Sequence, residues 1–87
     1  MHILEVYVDR NCWGCIEARA IAQQVAQELP QVQVTVVDIS ETSGAYIHKV
    51  FAVPTFILNG QVVALGNPYR AEFRQRIEKL LGQPKNL

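Results

Sequence analysis

With 87 residues, 49% of them hydrophobic and 18% charged, the chain is able to bury a core and too apolar to remain disordered. Its formal net charge of zero recommends neither nucleic acid nor an anionic membrane as a partner. No stretch approaches the roughly 18 apolar residues of a membrane span, and the run from Ile3 to Val8 is too short for a secretory segment, so a single cytoplasmic domain over residues 1–87 is expected.

Ile3 to Val8, ILEVYV, is apolar except for Glu5, the pattern of a strand covered on both faces. After Trp13 the period changes to that of a helix, with Ala18, Ile21, Ala22, Val25 and Leu29 on one stripe and Pro30 as the stop, so the first helix is expected from the cysteines to Leu29. Val32 to Ile39 is rich in β-branched residues, and Val32, Val34 and Val36 alternate as in a second strand. The polar segment SETSG, Ser40 to Gly44, leads into a short helix expected over about residues 45–50.

Val53 to Leu58 reads as extended, and Asn59-Gly60 before QVVAL predicts a two-residue hairpin, because both turn positions tolerate positive φ. For the last helix the sequence offers Asn67 as N-cap, Pro68 at the first helical position, an apolar stripe of Tyr69, Phe73, Ile77 and Leu80, and Gly82 as the stop. The order β-α-β-α-β-β-α predicts an α/β fold: a four-stranded mixed sheet with helices on both faces. Acids dominate residues 1–45 and bases the tail from Arg70; a solvated basic helix face is favoured over a docking patch.

The only cysteines form the sequence CWGC, Cys12 to Cys15, at the junction of the first strand and first helix. In a reducing compartment a close pair serves catalysis or a metal rather than architecture. A thiolate is the attacking species, and a helix N-terminus stabilises it through unpaired N–H groups and the helix dipole. Cys12 is therefore expected to have a lowered pKa and to act as the nucleophile, with Arg10 adding to the effect if it faces the sulfur. Cys15, one turn on and more buried, is expected to resolve the mixed disulfide that Cys12 forms. Gly14 lets the turn be tight. Trp13 either packs back on the fold or offers an aromatic surface beside the sulfur.

Metal binding is the competing chemistry. Zinc would need two further ligands, and His2 and His48 lack ligand spacing. A cluster bridged between two subunits by one thiolate from each and an external thiol is a further alternative. Neither a metal nor another cofactor is expected.

CWGC between a strand and a helix, followed by VPT (Val53, Pro54, Thr55) entering a later strand and by Gly66 after the hairpin, resembles the thioredoxin superfamily over nearly the whole chain. The resemblance implies a minimal thioredoxin fold and a redox-active dithiol/disulfide that reduces protein disulfides. It also implies a cis Pro54 across from the cysteines that keeps metal ions from them, and a Val53 backbone that pairs with an extended substrate. Trp13, Gly14, Val53, Pro54, Thr55 and Gly66 are thus candidate substrate-binding residues; Phe51 either joins Trp13 in an apolar rim for a protein substrate or packs under the short helix, and the packed reading is favoured.

The implied partners are a disulfide-bearing protein and a reductase or small thiol that resets a monomeric enzyme. The chain is close to a glutaredoxin in size, which keeps a glutathione-coupled reductase as an alternative, but the Gly-Gly-x-Asp glutathione segment is replaced by GNPYRAEF. A non-enzymatic binding module on the same scaffold is the other. Trp13-Gly14 differs from the Gly-Pro of thioredoxins and the Pro-Tyr of glutaredoxins. At the position of the thioredoxins' buried acid stands Val6, and Glu5, one residue away, is expected on the opposite sheet face.

Overall fold

The computed structural model describes residues 2–10, 12–41 and 52–82. In chain order it contains β1 (His2–Val8), α1 (Cys15–Glu28), β2 (Val32–Asp38), β3 (Thr55–Leu58), β4 (Gln61–Leu65) and α2 (Arg70–Leu81). The sheet order is β2-β1-β3-β4, with β1 parallel to β2 and antiparallel to β3, and β3 antiparallel to β4. The short helix expected over residues 45–50 lies outside the described residues, as do His48 and Phe51.

Period-2 alternation in β1 divides its side chains between two faces. Leu4, Val6 and Val8 point to the core that both described helices cover, joining Ala18, Ile21, Ala22 and Val25 of α1 and Phe73 and Ile77 of α2. Phe56 of β3 completes this face and meets Phe73 edge to face, with ring centroids 5.1 Å apart. Burying each of the larger side chains among these, Ile21 and Val25 on α1, contributes roughly 1.5–3 kcal/mol, so the apolar stripe of α1 is what fixes that helix on the sheet. On the other face the Tyr7 hydroxyl donates to Glu5 at 3.0 Å.

Both positions of the Asn59-Gly60 turn have positive φ, 51° and 86°, as a primed hairpin turn requires. Asn59 also binds the turn to β1: its backbone N–H donates to the Ile3 carbonyl at 2.8 Å, and its side-chain oxygen accepts from the Ile3 N–H at 2.9 Å.

Four local expectations change. The strand after Val53 begins only at Thr55, since Pro54 has no N–H for a ladder. The alternation of β2 fades, so Val32 is buried, Val34 partly so and Val36 exposed, because β2 lies at the sheet edge. In β4 the register jumps from Ala64 to Val62 opposite Phe56 and Ile57, leaving Val63 as a bulge residue that packs against the core. Finally, α2 starts at Arg70 with Tyr69 at the N-cap position; Tyr69 is exposed rather than part of the stripe, and Asn67 is not the cap.

Candidate functional site

At its C-terminal end β1 delivers the chain into a tight turn: the Cys12 N–H donates to the Asp9 carbonyl and the Cys15 N–H to the Cys12 carbonyl, each at 3.3 Å. Cys12 and Cys15 are joined by a disulfide, with Cα atoms 5.3 Å apart. The expected helix start is later by one turn: Cys12 precedes α1, Gly14 is the N-cap residue, and Cys15 is the first helical residue. Among the described residues no side chain makes a capping hydrogen bond at that end of the helix, and the acid in its first turn, Glu17, is engaged by Arg70, so the first-turn N–H groups are left to the disulfide turn.

The two sulfur residues differ in setting. Cys15 is 3% exposed and belongs to the core cluster, while Cys12 is partly buried at its edge. Trp13, between them, is fully exposed, which resolves its two readings in favour of a free aromatic surface. Ile16, Leu65 and Tyr69 are exposed as well. Arg10 is occupied elsewhere, donating to Ser40 Oγ at 3.2 Å. Ser40 in turn donates from both its hydroxyl and its backbone N–H to Asp38, and these bonds, with Arg19 3.2 Å away, hold the Asp38 carboxyl below its usual range.

The segment before β3 comes up beside this turn. The Val53–Pro54 peptide is cis, Pro54 is buried and Val53 partly buried. Thr55, expected among the substrate contacts, is only 1% exposed, and its hydroxyl donates to the Ala52 carbonyl, so its side chain braces the loop instead of facing a partner. Gly66, at φ 78°, occupies the left-handed region that favours glycine and donates its N–H to the Pro54 carbonyl at 2.8 Å. The next residue, Asn67, donates from its side-chain amide to the Gly14 carbonyl at 2.8 Å. Sequence reasoning had no signal for this contact except Gly14 itself. A Cβ there would stand 2.7 Å from the Asn67 amide nitrogen, so glycine is what admits the close approach.

Val6, at the position of the family's buried acid, is fully buried beside the Cys15 cluster, and Glu5 lies on the opposite face with Tyr7. His2 stands at the far end of β1 from the cysteines, roughly 20 Å away at the rise of a strand, and its ring meets Asn59.

Sheet order, the helix-head disulfide and the neighbouring proline loop together place the chain in the thioredoxin-fold class. The profile of the family described as a thioredoxin domain matches residues 1–78, and the chain belongs to that family. A thioredoxin of Methanocaldococcus jannaschii is 30% identical over 80 residues, covering 90% of this chain and 94% of that protein. Among solved structures, the thioredoxin of Fasciola hepatica superposes with a TM-score of 0.71 at 23% identity, covering 90% of this chain and 79% of the other. Mitochondrial thioredoxin 3 of Saccharomyces cerevisiae in its oxidized form gives a TM-score of 0.71 at 20% identity, with 90% and 77% covered. The two superpositions establish the same fold.

Proposed function

We propose that this protein is a thiol-disulfide oxidoreductase that reduces disulfides of protein substrates in the cytoplasm. The observation that carries the reading is the asymmetric Cys12–Cys15 disulfide at the uncapped head of α1, with one sulfur at the surface of the core and the other within it.

In the dithiol form Cys12 loses its proton first, because the first-turn N–H groups of α1 favour an anion at that point. The Cys12 thiolate attacks one sulfur of the partner's disulfide, and the partner's second sulfur leaves as a thiolate. Cys15, deprotonated in turn, attacks the Cys12 sulfur and expels the partner's remaining thiolate. Two electrons pass to the partner, and the Cys12–Cys15 disulfide is left. A dithiol reductase or small thiol returns two electrons to restart the cycle. Trp13, Ile16, Leu65 and Tyr69 supply apolar surface for a protein partner, and the Val53 backbone is the proposed pairing edge for its extended segment.

Reduction of insulin by dithiothreitol is the direct assay. The protein is expected to accelerate precipitation of the freed insulin chains, and Cys12→Ser to abolish the acceleration. An inactive wild type, or a Cys12→Ser variant as active as wild type, would overturn the proposal.

A further inference from the structure

The residue pair Gly66-Asn67 touches the site twice: the Gly66 N–H holds the Pro54 carbonyl, and the Asn67 amide holds the Gly14 carbonyl. Gly14 is the one residue between the surface-exposed Trp13 and the helical Cys15, and its carbonyl also accepts the first bond of α1, from the Ala18 N–H at 3.0 Å. Cys15 is fixed by the helix and the core. When the disulfide opens, the sulfurs must separate to non-bonded distance, and the adjustment falls on Cys12, Trp13 and Gly14. The Asn67 bond therefore grips the part of the turn that moves. Arg70, the first residue of α2, is committed to Glu17 through two bonds of 2.8 and 2.7 Å, so it does not compete for the Gly14 carbonyl.

We propose that Asn67 is a positioning residue for the Cys12–Cys15 pair: its hydrogen bond to Gly14 is stronger in the disulfide form than in the dithiol form and thereby holds the redox equilibrium toward the disulfide. This deepens the thiol-disulfide reading and rests on it. A contact of unequal strength in two states shifts their equilibrium by the difference. For one hydrogen bond the shift is about threefold to tenfold. At 29.6 mV per tenfold for a two-electron couple, that is about 15–30 mV. The same contact accounts for glycine at position 14, because the added Cβ of Gly14→Ala meets the Asn67 amide and pushes it off the carbonyl.

The test is equilibration with dithiothreitol at set ratios of reduced to oxidised reagent. Each turnover moves two electrons and two protons from the reagent to the protein disulfide, and free thiols are counted by alkylation. Asn67→Leu is expected to raise the equilibrium constant for reduction about threefold to tenfold, Asn67→Ala to do the same, and Asn67→Gln, which keeps an amide donor, to return it toward wild type. Gly14→Ala is expected to give a shift in the same direction, and adding Asn67→Leu to it to give no more. A purely structural role would lower the melting temperatures of the oxidised and reduced forms equally and leave the constant unchanged. An unchanged constant in Asn67→Leu and Asn67→Ala, or additive shifts in the double variant, overturns the proposal. A wild-type protein that reaches no reversible dithiol/disulfide equilibrium overturns instead the thiol-disulfide reading beneath it.

Discussion

At the residue scale, three positions within one turn do different work. Cys12 lies at the edge of the core, Cys15 within it and Trp13 in solvent. Limited alkylation of the reduced protein is expected to modify Cys12 on the order of tenfold faster than Cys15, because accessibility and thiolate character both favour it; mass spectrometry after brief iodoacetamide treatment reads the ratio, and equal rates would contradict the assignment. Trp13→Ala is expected to change stability by less than about 0.5 kcal/mol, since the exposed indole has little packing to lose. It is nonetheless expected to raise KM for insulin while leaving reduction of a small aromatic disulfide intact. A parallel loss on both substrates would place the indole in the chemistry rather than in partner binding. The Cys-x-x-Cys spacing and its placement at a strand-to-helix junction were legible in the sequence, because both are local properties, whereas the cis bond before Pro54 was expected only from the family resemblance. Asn67 was misread, because its preference for helix caps is also local, while the carbonyl it binds lies 53 residues away.

At the element scale, α1 and α2 are joined across their exposed edges by Arg70 with Glu17 and by Arg74 with Glu28. The two bonds from Arg70 hold the Glu17 carboxyl below its ordinary value of 4.5, outweighing the opposing effect of burial. Because the folded value is the lowered one, this pair stabilises the fold above about pH 4.5 and its contribution is lost as pH falls through the folded value. Urea titrations at pH 7 and pH 3 are expected to show a smaller acid-induced loss in Arg70→Gln than in wild type; an equal loss would mean that the pair contributes nothing. In the β3–β4 hairpin, Gly60→Ala is expected to cost about 1–2 kcal/mol by the penalty of a left-handed conformation alone, since nothing crowds the position. The turn was legible because Asn-Gly encodes its own dihedrals. The bulge at Val63 was not, since register depends on how the neighbouring strand and the core meet it.

At the scale of the whole molecule, a single apolar face of the sheet holds both described helices, and Phe56 sits at its centre against Phe73. Phe56→Ala is expected to cost about 3–5 kcal/mol, a large share of the stability of a chain this size, measurable as a lower urea midpoint. Strand direction was readable from connection types, since a helical crossover implies parallel β1 and β2 and a two-residue turn implies antiparallel β3 and β4, but the β1–β3 pairing that sets the order β2-β1-β3-β4 was not. The convergence of the β1–α1 junction, the Pro54 loop and Gly66-Asn67 on one end of the sheet follows from that order. The hydrogen bonds that join them do not, as they depend on side-chain reach in three dimensions.

The account stands on the division of labour between the two sulfurs, and the Cys15→Ser variant tests it most directly. Mixed with oxidised insulin at neutral pH, that variant is expected to accumulate a covalent adduct carrying insulin on Cys12, stable until dithiothreitol is added, while Cys12→Ser accumulates none. An adduct on Cys15 in the Cys12→Ser protein at the same rate, or no adduct in either, would contradict it.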